Sequence, residues 1–410
     1  MSEHDPSGHP APAAPVAARD RIAALDVLRG FALLGIFIMN MPGFTHSLFA
    51  QPVAEANTVD RFVAAARDLF FAGKFNLLFG LLFGIGFTLQ LARLEAANAS
   101  RAARVYARRL AALLAIGLAH AVLLWPGDVL VVYAVLGFGL LAISKLPERG
   151  VVGLLAACLV YPAVSDALRP TWFSLQTETI AAFEYDAFRA SNDAAFGHGS
   201  FFDAARETAR VFAWGYSSQL GLFSYVAFYV QMATGILLGV LVGRRRWALR
   251  LDALGSELRR WHKLALATSL LAGAAWLGFA AAATEPIAPA TLFALGLAKT
   301  IGRAALMVVY ALAVARLLQW RPGAAWTRPF ERAGRMPLSN YLLQTLLASA
   351  VFYGWGLGFW GRVGPALETL LAIALFMLVQ LPLSTLWLQR FRYGPVEYLW
   401  RLVTYGRQAP

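Results

Sequence analysis

The chain has 410 residues, 59% of them apolar and 14% charged, with 36 Lys and Arg against 23 Asp and Glu for a formal net charge of +13. That is too apolar for a soluble protein of this length. The positive excess sits in short gaps between apolar runs, which argues against a nucleic-acid partner and for anionic membrane lipid, and the lone Cys158 leaves no disulfide framework and no metal site.

Residues 1 to 20 are rich in Pro and Ala without an apolar core, and they read as a disordered cytoplasmic tail rather than a cleavable signal. From residue 21 to 410 the chain reads as a single membrane domain. Apolar stretches run over about residues 25–44, 69–92, 109–125, 127–144, 150–168, 218–243, 262–284, 288–319, 337–353 and 365–388. Most can cross ~30 Å of hydrocarbon, and lipid-facing backbone must be helical to satisfy its own hydrogen bonds. The expected fold is all-α, a polytopic transmembrane bundle of about ten spans.

Of the 36 Lys and Arg, 26 fall in the gaps around residues 19–29, 93–109, 145–149, 244–263, 316–335 and 390–407. The positive-inside rule makes that side cytoplasmic and both termini cytoplasmic. Residues 169–217 then form an extracytoplasmic segment, with Phe183, Tyr185, Phe188 and Phe196 interleaved among charges. Two amphipathic helices split near Gly197-His198-Gly199 are expected there, either resting aromatic side chains on headgroups or closing a site as a lid.

Polar groups at hydrocarbon depth are the places to look for chemistry. The first stretch opens Leu25-Asp26-Val27-Leu28-Arg29-Gly30-Phe31-Ala32, with Asp26 and Arg29 on one helix face, and reaches Asn40. The second begins with Lys74 and Asn76, and its Gly80, Gly84 and Gly86 favour close packing. The third carries His120 in Gly117-Leu118-Ala119-His120, followed by the Pro126-Gly127-Asp128 turn. Both Asn40 and His120 lie ~16 Å along outward-running spans, hence at one depth. His120 beside Asp128 reads either as a base held by an orienting acid or as a packing histidine beside a helix-capping aspartate.

Further along, Lys299 and Arg303 lie four apart on the eighth stretch, where they need a polar cavity or an anion such as phosphate. The run Gly334-Arg335-Met336-Pro337-Leu338-Ser339-Asn340-Tyr341-Leu342-Leu343-Gln344 sets Asn340 and Gln344 on one face, and Gln380 follows in the tenth stretch. Arg390-Phe391-Arg392-Tyr393-Gly394-Pro395 leads into a short aromatic helix that reads as an interfacial foot on the inner leaflet.

These four segments, in this order, resemble the YeiB-type bacterial inner-membrane proteins over almost the whole chain after the tail. That resemblance implies a C-terminal membrane domain of unknown function at about residues 235–410 and a multi-pass inner-membrane location. The Leu-Asp-x-Leu-Arg-Gly-x-Ala opening is also similar to the first helix of membrane acyltransferases that modify surface glycans, and to that of heparan-alpha-glucosaminide N-acetyltransferase. This second resemblance implies an acyl-coenzyme A donor, not permanently bound, and a glycan or lipid-linked acceptor. The glycan-modifying group carries histidine where this chain has Asn40, so here the base has to be His120.

Three readings follow. In the first, His120 is base or acyl carrier, Asp128 orients it, Asn40 stabilises oxyanion charge, and Asp26, Arg29, Lys74, Lys299, Arg303, Asn340 and Gln344 bind substrate. In the second, the same polar residues line the path of a transporter or lipid-handling protein, although the two halves show no repeat. A regulatory or scaffolding protein without turnover is the third possibility.

Overall fold

The computed structural model describes residues 23–49, 57–172, 175–283, 287–321 and 323–406, so the tail expected at 1–20 lies outside the described residues. Among the described residues the regular structure is entirely helical. The helices are α1 (Ala23–Asn40), α2 (Pro42–Thr45), α3 (Thr58–Phe70), α4 (Lys74–Leu123), α5 (Leu130–Ala142), α6 (Glu148–Trp172), α7 (Leu175–Gly197), α8 (Phe201–Ser217), α9 (Gln219–Arg244), α10 (Gly255–Ala282), α11 (Pro289–Trp320), α12 (Thr327–Arg335), α13 (Pro337–Phe352), α14 (Pro365–Ala374), α15 (Leu381–Arg390) and α16 (Pro395–Tyr405). A π-helical stretch, Leu375–Gln380, joins α14 to α15.

Every apolar stretch expected from the sequence is helical. By length and composition, 7 segments among the described residues can cross a membrane. One of them, Thr58–Leu123, holds two of the stretches, because α4 breaks at Asn98. The rings of Phe87 and Tyr106 stand 4.9 Å apart across that break. A straight helix would separate them by ~28 Å, so α4 is a hairpin of two limbs. Asn98 Oδ1 accepts from the Arg101 N–H at 3.1 Å and caps the returning limb. The stretches at 127–144 and 337–353 form helices of 13 and 16 residues. At ~20 and ~24 Å these fall short of the hydrocarbon thickness.

Backbone contact locks the bundle at two crossings. A methyl group at Gly84 would overlap the Ile236 carbonyl, and one at Gly239 the Leu81 carbonyl, so the first limb of α4 and α9 pack through glycines. A methyl at Gly30 would overlap the Phe330 carbonyl, and one at Gly334 the Asp26 carbonyl. The first and third sequence signatures therefore meet across the α1–α12 crossing. Gly86 serves differently: a methyl group there would meet only the Arg29 guanidinium, at 3.9 Å.

Contacts between the gaps keep the two sets of loops apart. Arg244 donates to the Ser144 and Leu146 carbonyls, Trp400 to the Arg109 carbonyl, and Gln90 to the Tyr405 hydroxyl. All of these belong to the arginine-rich set. In the other set, Arg67 pairs with Glu368 at 2.7 Å, Trp360 donates to Asp193 at 2.8 Å, and the Gly361 N–H donates to the Thr45 carbonyl at 2.8 Å.

Helices α7 and α8 split where expected, with Ser200 and Asp203 forming a capping box at the start of α8. Phe188 and Phe196 do not rest on headgroups. They are buried, Phe196 stacking on Tyr353 and Phe188 on Phe49. Helix α7 is thus fastened against the residues that follow α2 and α13.

Candidate functional site

Two short helices and one hairpin limb create an enclosed polar centre. The Pro126-Gly127 turn folds α5 back against the end of α4, so that His120 and Asp128, eight residues apart, face each other. Nδ1 of His120 lies 2.7 Å from Asp128 Oδ2, and the second carboxylate oxygen accepts from the Val131 N–H at 2.8 Å. The carboxylate thus both caps α5 and fixes the imidazole. On the far side of the ring, Nε2 lies 2.9 Å from the Thr345 hydroxyl. His120, Asp128 and Thr345 are 2%, 4% and 1% exposed, so the Asp–His–Thr line is closed to bulk solvent. The ring of Tyr341, one turn before Thr345, covers the imidazole at 5.2 Å, and its hydroxyl accepts from the Val129 N–H at 3.3 Å.

Beside it runs a chain of amides. Gln344 Nε2 donates to the Leu33 carbonyl and to Gln380 Oε1, each at 3.1 Å. Gln380 Nε2 donates to the Asn340 carbonyl, while Asn340 Nδ2 donates to the Ala333 carbonyl and Ser384 Oγ. The side chains of Asn340 and Gln344 thereby join α13 to α1, α12 and α15, while Gln344 Oε1 is buried without a hydrogen-bond partner among the described residues.

A cavity of about 310 Å³ begins at the arginine-rich face and rises among α1, both limbs of α4, α5, α13 and α16. Its polar end is lined by Arg29, Arg93, Arg109, Arg335 and Arg401, with Asp26 and Glu397 as the acids. Both carboxylates are engaged. Asp26 pairs with Arg29, and Glu397 accepts from the Leu338 and Ser339 N–H groups at 2.7 and 3.0 Å, capping α13. Burial pushes the Glu397 carboxyl above the usual range even against those hydrogen bonds. Nε of Arg335 is buried without a hydrogen-bond partner among the described residues. The cavity turns apolar with depth, passing Leu33, Ile36, Phe79 and Leu130, and Tyr341 and Val129 close its wall toward His120. From Leu25 to Ile36 it climbs ~16 Å along α1.

The residues singled out in the sequence divide between separate places. Asp26 and Arg29 line this cavity, and His120 and Asp128 stand behind its Tyr341 wall. Lys299 and Arg303 line a second cavity, with Lys74 within electrostatic reach of both. Asn40 ends α1 and joins neither of the His120 hydrogen bonds. The C-terminal foot, α16, is exposed on one side and packed on the other. Leu399, Leu402 and Val403 remain exposed, but Trp400 stacks under Arg109 at 3.6 Å and α16 forms a wall of the first cavity. Sequence reasoning missed Thr345, Tyr341, Arg93, Arg109 and Arg401. Thr345 lies four residues after Tyr341 on a face of α13 about 100° around from that of Asn340 and Gln344, and that i, i+4 spacing was the available signal.

The chain is 32% identical to the uncharacterized protein YxaH of Bacillus subtilis (strain 168), with 97% of each chain covered. It belongs to the YeiB-type family. The uncharacterized protein YeiB of Escherichia coli (strain K12) is 27% identical over 95% of this chain and 98% of its own. The family model described as a protein of unknown function, DUF418, matches residues 242–407. In this YeiB-type chain the matched region holds Thr345, Tyr341, Arg335, Glu397 and Arg401. His120, Asp128, Arg29, Arg93 and Arg109 lie before it, so both the site and the cavity draw on sequence outside the matched region. Its multi-pass helices and bacterial relatives mark it as a membrane protein in a lipid environment.

Proposed function

We propose that the protein is a bacterial inner-membrane acyltransferase with both termini in the cytoplasm, taking an acyl group from acyl-coenzyme A. The observation that carries this reading is the first cavity. Five arginines ring its cytoplasmic end, where donor phosphates would bind, and its apolar depth leads toward the buried His120–Asp128 pair. A pantetheine arm suits such a channel, polar at the mouth and apolar within.

In the reaction, Asp128 holds the Nδ1 proton and leaves the Nε2 lone pair to act as base. Nε2 takes the proton of an acceptor hydroxyl in place of the Thr345 hydroxyl. The acceptor oxygen attacks the thioester carbonyl, the carbon–sulfur bond breaks, and the imidazolium returns its proton to the thiolate. The products are an acyl ester and free coenzyme A. Tyr341 has to move aside for the thioester to arrive, and the acceptor is a glycan or lipid-linked hydroxyl reached from the other face. Asn40 stands outside this arrangement and has no assigned step.

A second reading, a transporter or lipid-handling protein without acyl transfer, is favoured by one fact: both ring nitrogens of His120 are already bonded. Purified protein in nanodiscs, given acetyl-coenzyme A labelled in the acetyl group, separates the two. Release of free thiol, lost in Arg109→Ala and His120→Ala, supports transfer. Saturable binding without thiol release across several acyl donors and acceptors points to the second reading.

A further inference from the structure

The second cavity, about 240 Å³, lies among α6, α9 and α11 toward the face opposite the arginine-rich one. Its polar lining includes Asp166, Gln231, Thr234, Lys299, Thr300 and Arg303. Lys299 and Arg303 lie ten and fourteen residues into α11, ~15 and ~21 Å along its axis. Three cations meet here, because Lys74 is within electrostatic reach of both, while Asp68 and Asp166 are the acids that act on them. Among the described residues none of the three cations forms an ion pair. Lys74 donates instead to the Asp68 carbonyl at 2.7 Å. Gln231, the nearest amide, makes only a long 3.4 Å bond to the Gly73 carbonyl.

Cations at this depth are costly until an anion neutralises them. Two acids that stay beyond ion-pair distance leave a positive centre next to a cavity furnished with hydroxyl and amide groups. We propose that this cavity binds a phosphate group, held by Lys299 and Arg303 with Gln231 and Thr300 at its sides. A dianion suits a three-cation cluster better than a carboxylate does. The phosphate comes either from a lipid headgroup or from free phosphate in solution. This site is separate from the first cavity and independent of the acyl-transfer reading.

The test uses the full-length protein in detergent, by native mass spectrometry with phosphatidic acid and by calorimetry with inorganic phosphate. Wild type is expected to bind one of the two, and K299Q/R303Q to bind it about tenfold more weakly or not at all. D166N removes the cavity's own acid and is expected to bind more tightly, which keeps the test decisive if the double variant fails to fold. Phosphatidic acid binding alone identifies a lipid headgroup, and binding of phosphate alone identifies a soluble anion. No binding of either by wild type overturns the proposal, as does equal binding by wild type, K299Q/R303Q and D166N.

Discussion

His120 reaches Asp128 across the Pro126-Gly127 turn at 2.7 Å and, through its other nitrogen, Thr345 on a helix more than two hundred residues later. One imidazole therefore ties the α4–α5 hairpin to α13. Removing it leaves a buried carboxylate and a buried hydroxyl without their partner, each costing about 1–3 kcal/mol.

His120→Ala is accordingly expected to lower the thermal midpoint in detergent as well as to abolish acyl transfer. Thr345→Val separates the two effects. It removes one hydrogen bond, costs about 1 kcal/mol, and leaves the His120–Asp128 pair intact. Differential scanning fluorimetry alongside thiol release reads both quantities. A His120→Ala variant as active as wild type would remove His120 from the mechanism.

Glu397 makes a pH prediction. Its carboxyl is raised by burial, so its contribution to stability is complete below the ordinary carboxylate value of 4.5 and is lost as pH rises through the higher folded value. Glu397→Gln keeps acceptors for the Leu338 and Ser339 N–H groups and cannot ionise. Its thermal midpoint should therefore fall less than that of wild type as pH is raised from 4.5 toward neutrality. Parallel curves for the two proteins would contradict the shift. Glu397→Ala, which uncaps α13, is expected to cost about 1–2 kcal/mol at any pH.

Glu207 behaves in the opposite sense. Burial pushes its carboxyl up, but hydrogen bonds from Arg210, Ser191 and Asn192 outweigh this and hold it below the usual value. Its contribution is present above 4.5 and is lost as pH falls through the lower folded value. Hydrogen exchange in α7 and α8 is expected to quicken on acidification in wild type. In Glu207→Gln it should be fast already at neutral pH.

Sidedness is open to labelling. In a Cys158→Ala background, Ala190→Cys in α7 is expected to react with an impermeant maleimide applied outside intact cells. Reaction only after the cytoplasmic side is opened would reverse the orientation.

The apolar helices were legible because lipid imposes long apolar runs, and arginine placement sorted the gaps into two sets. The His120–Asp128 contact was legible for a local reason, a tight turn between two short helices. Thr345 and the arginine cavity were not, because they depend on which helices become neighbours, and residue spacing within one helix carries no such information. For Asn40, helix rise gives depth along the span but not its bearing around the bundle. Lys299 and Arg303 were readable as needing a cavity, since desolvation penalises them wherever they point. That this cavity differs from the one below His120 followed only from packing.

The crossing of Gly30 with Gly334 bears on how the chain is made. Ala32, Leu33 and Phe37 of α1 have no exposed surface in the finished bundle. Yet α12 and α13, which help to enclose that helix, emerge from the ribosome some three hundred residues later. The first helix must therefore wait in the bilayer without its final neighbours, with Asp26 and Arg29 neutralising one another meanwhile. Assembly closes only when the last third of the chain returns to the first, so a fragment spanning residues 242–407 alone would lack the surface on which its own α12 is seated.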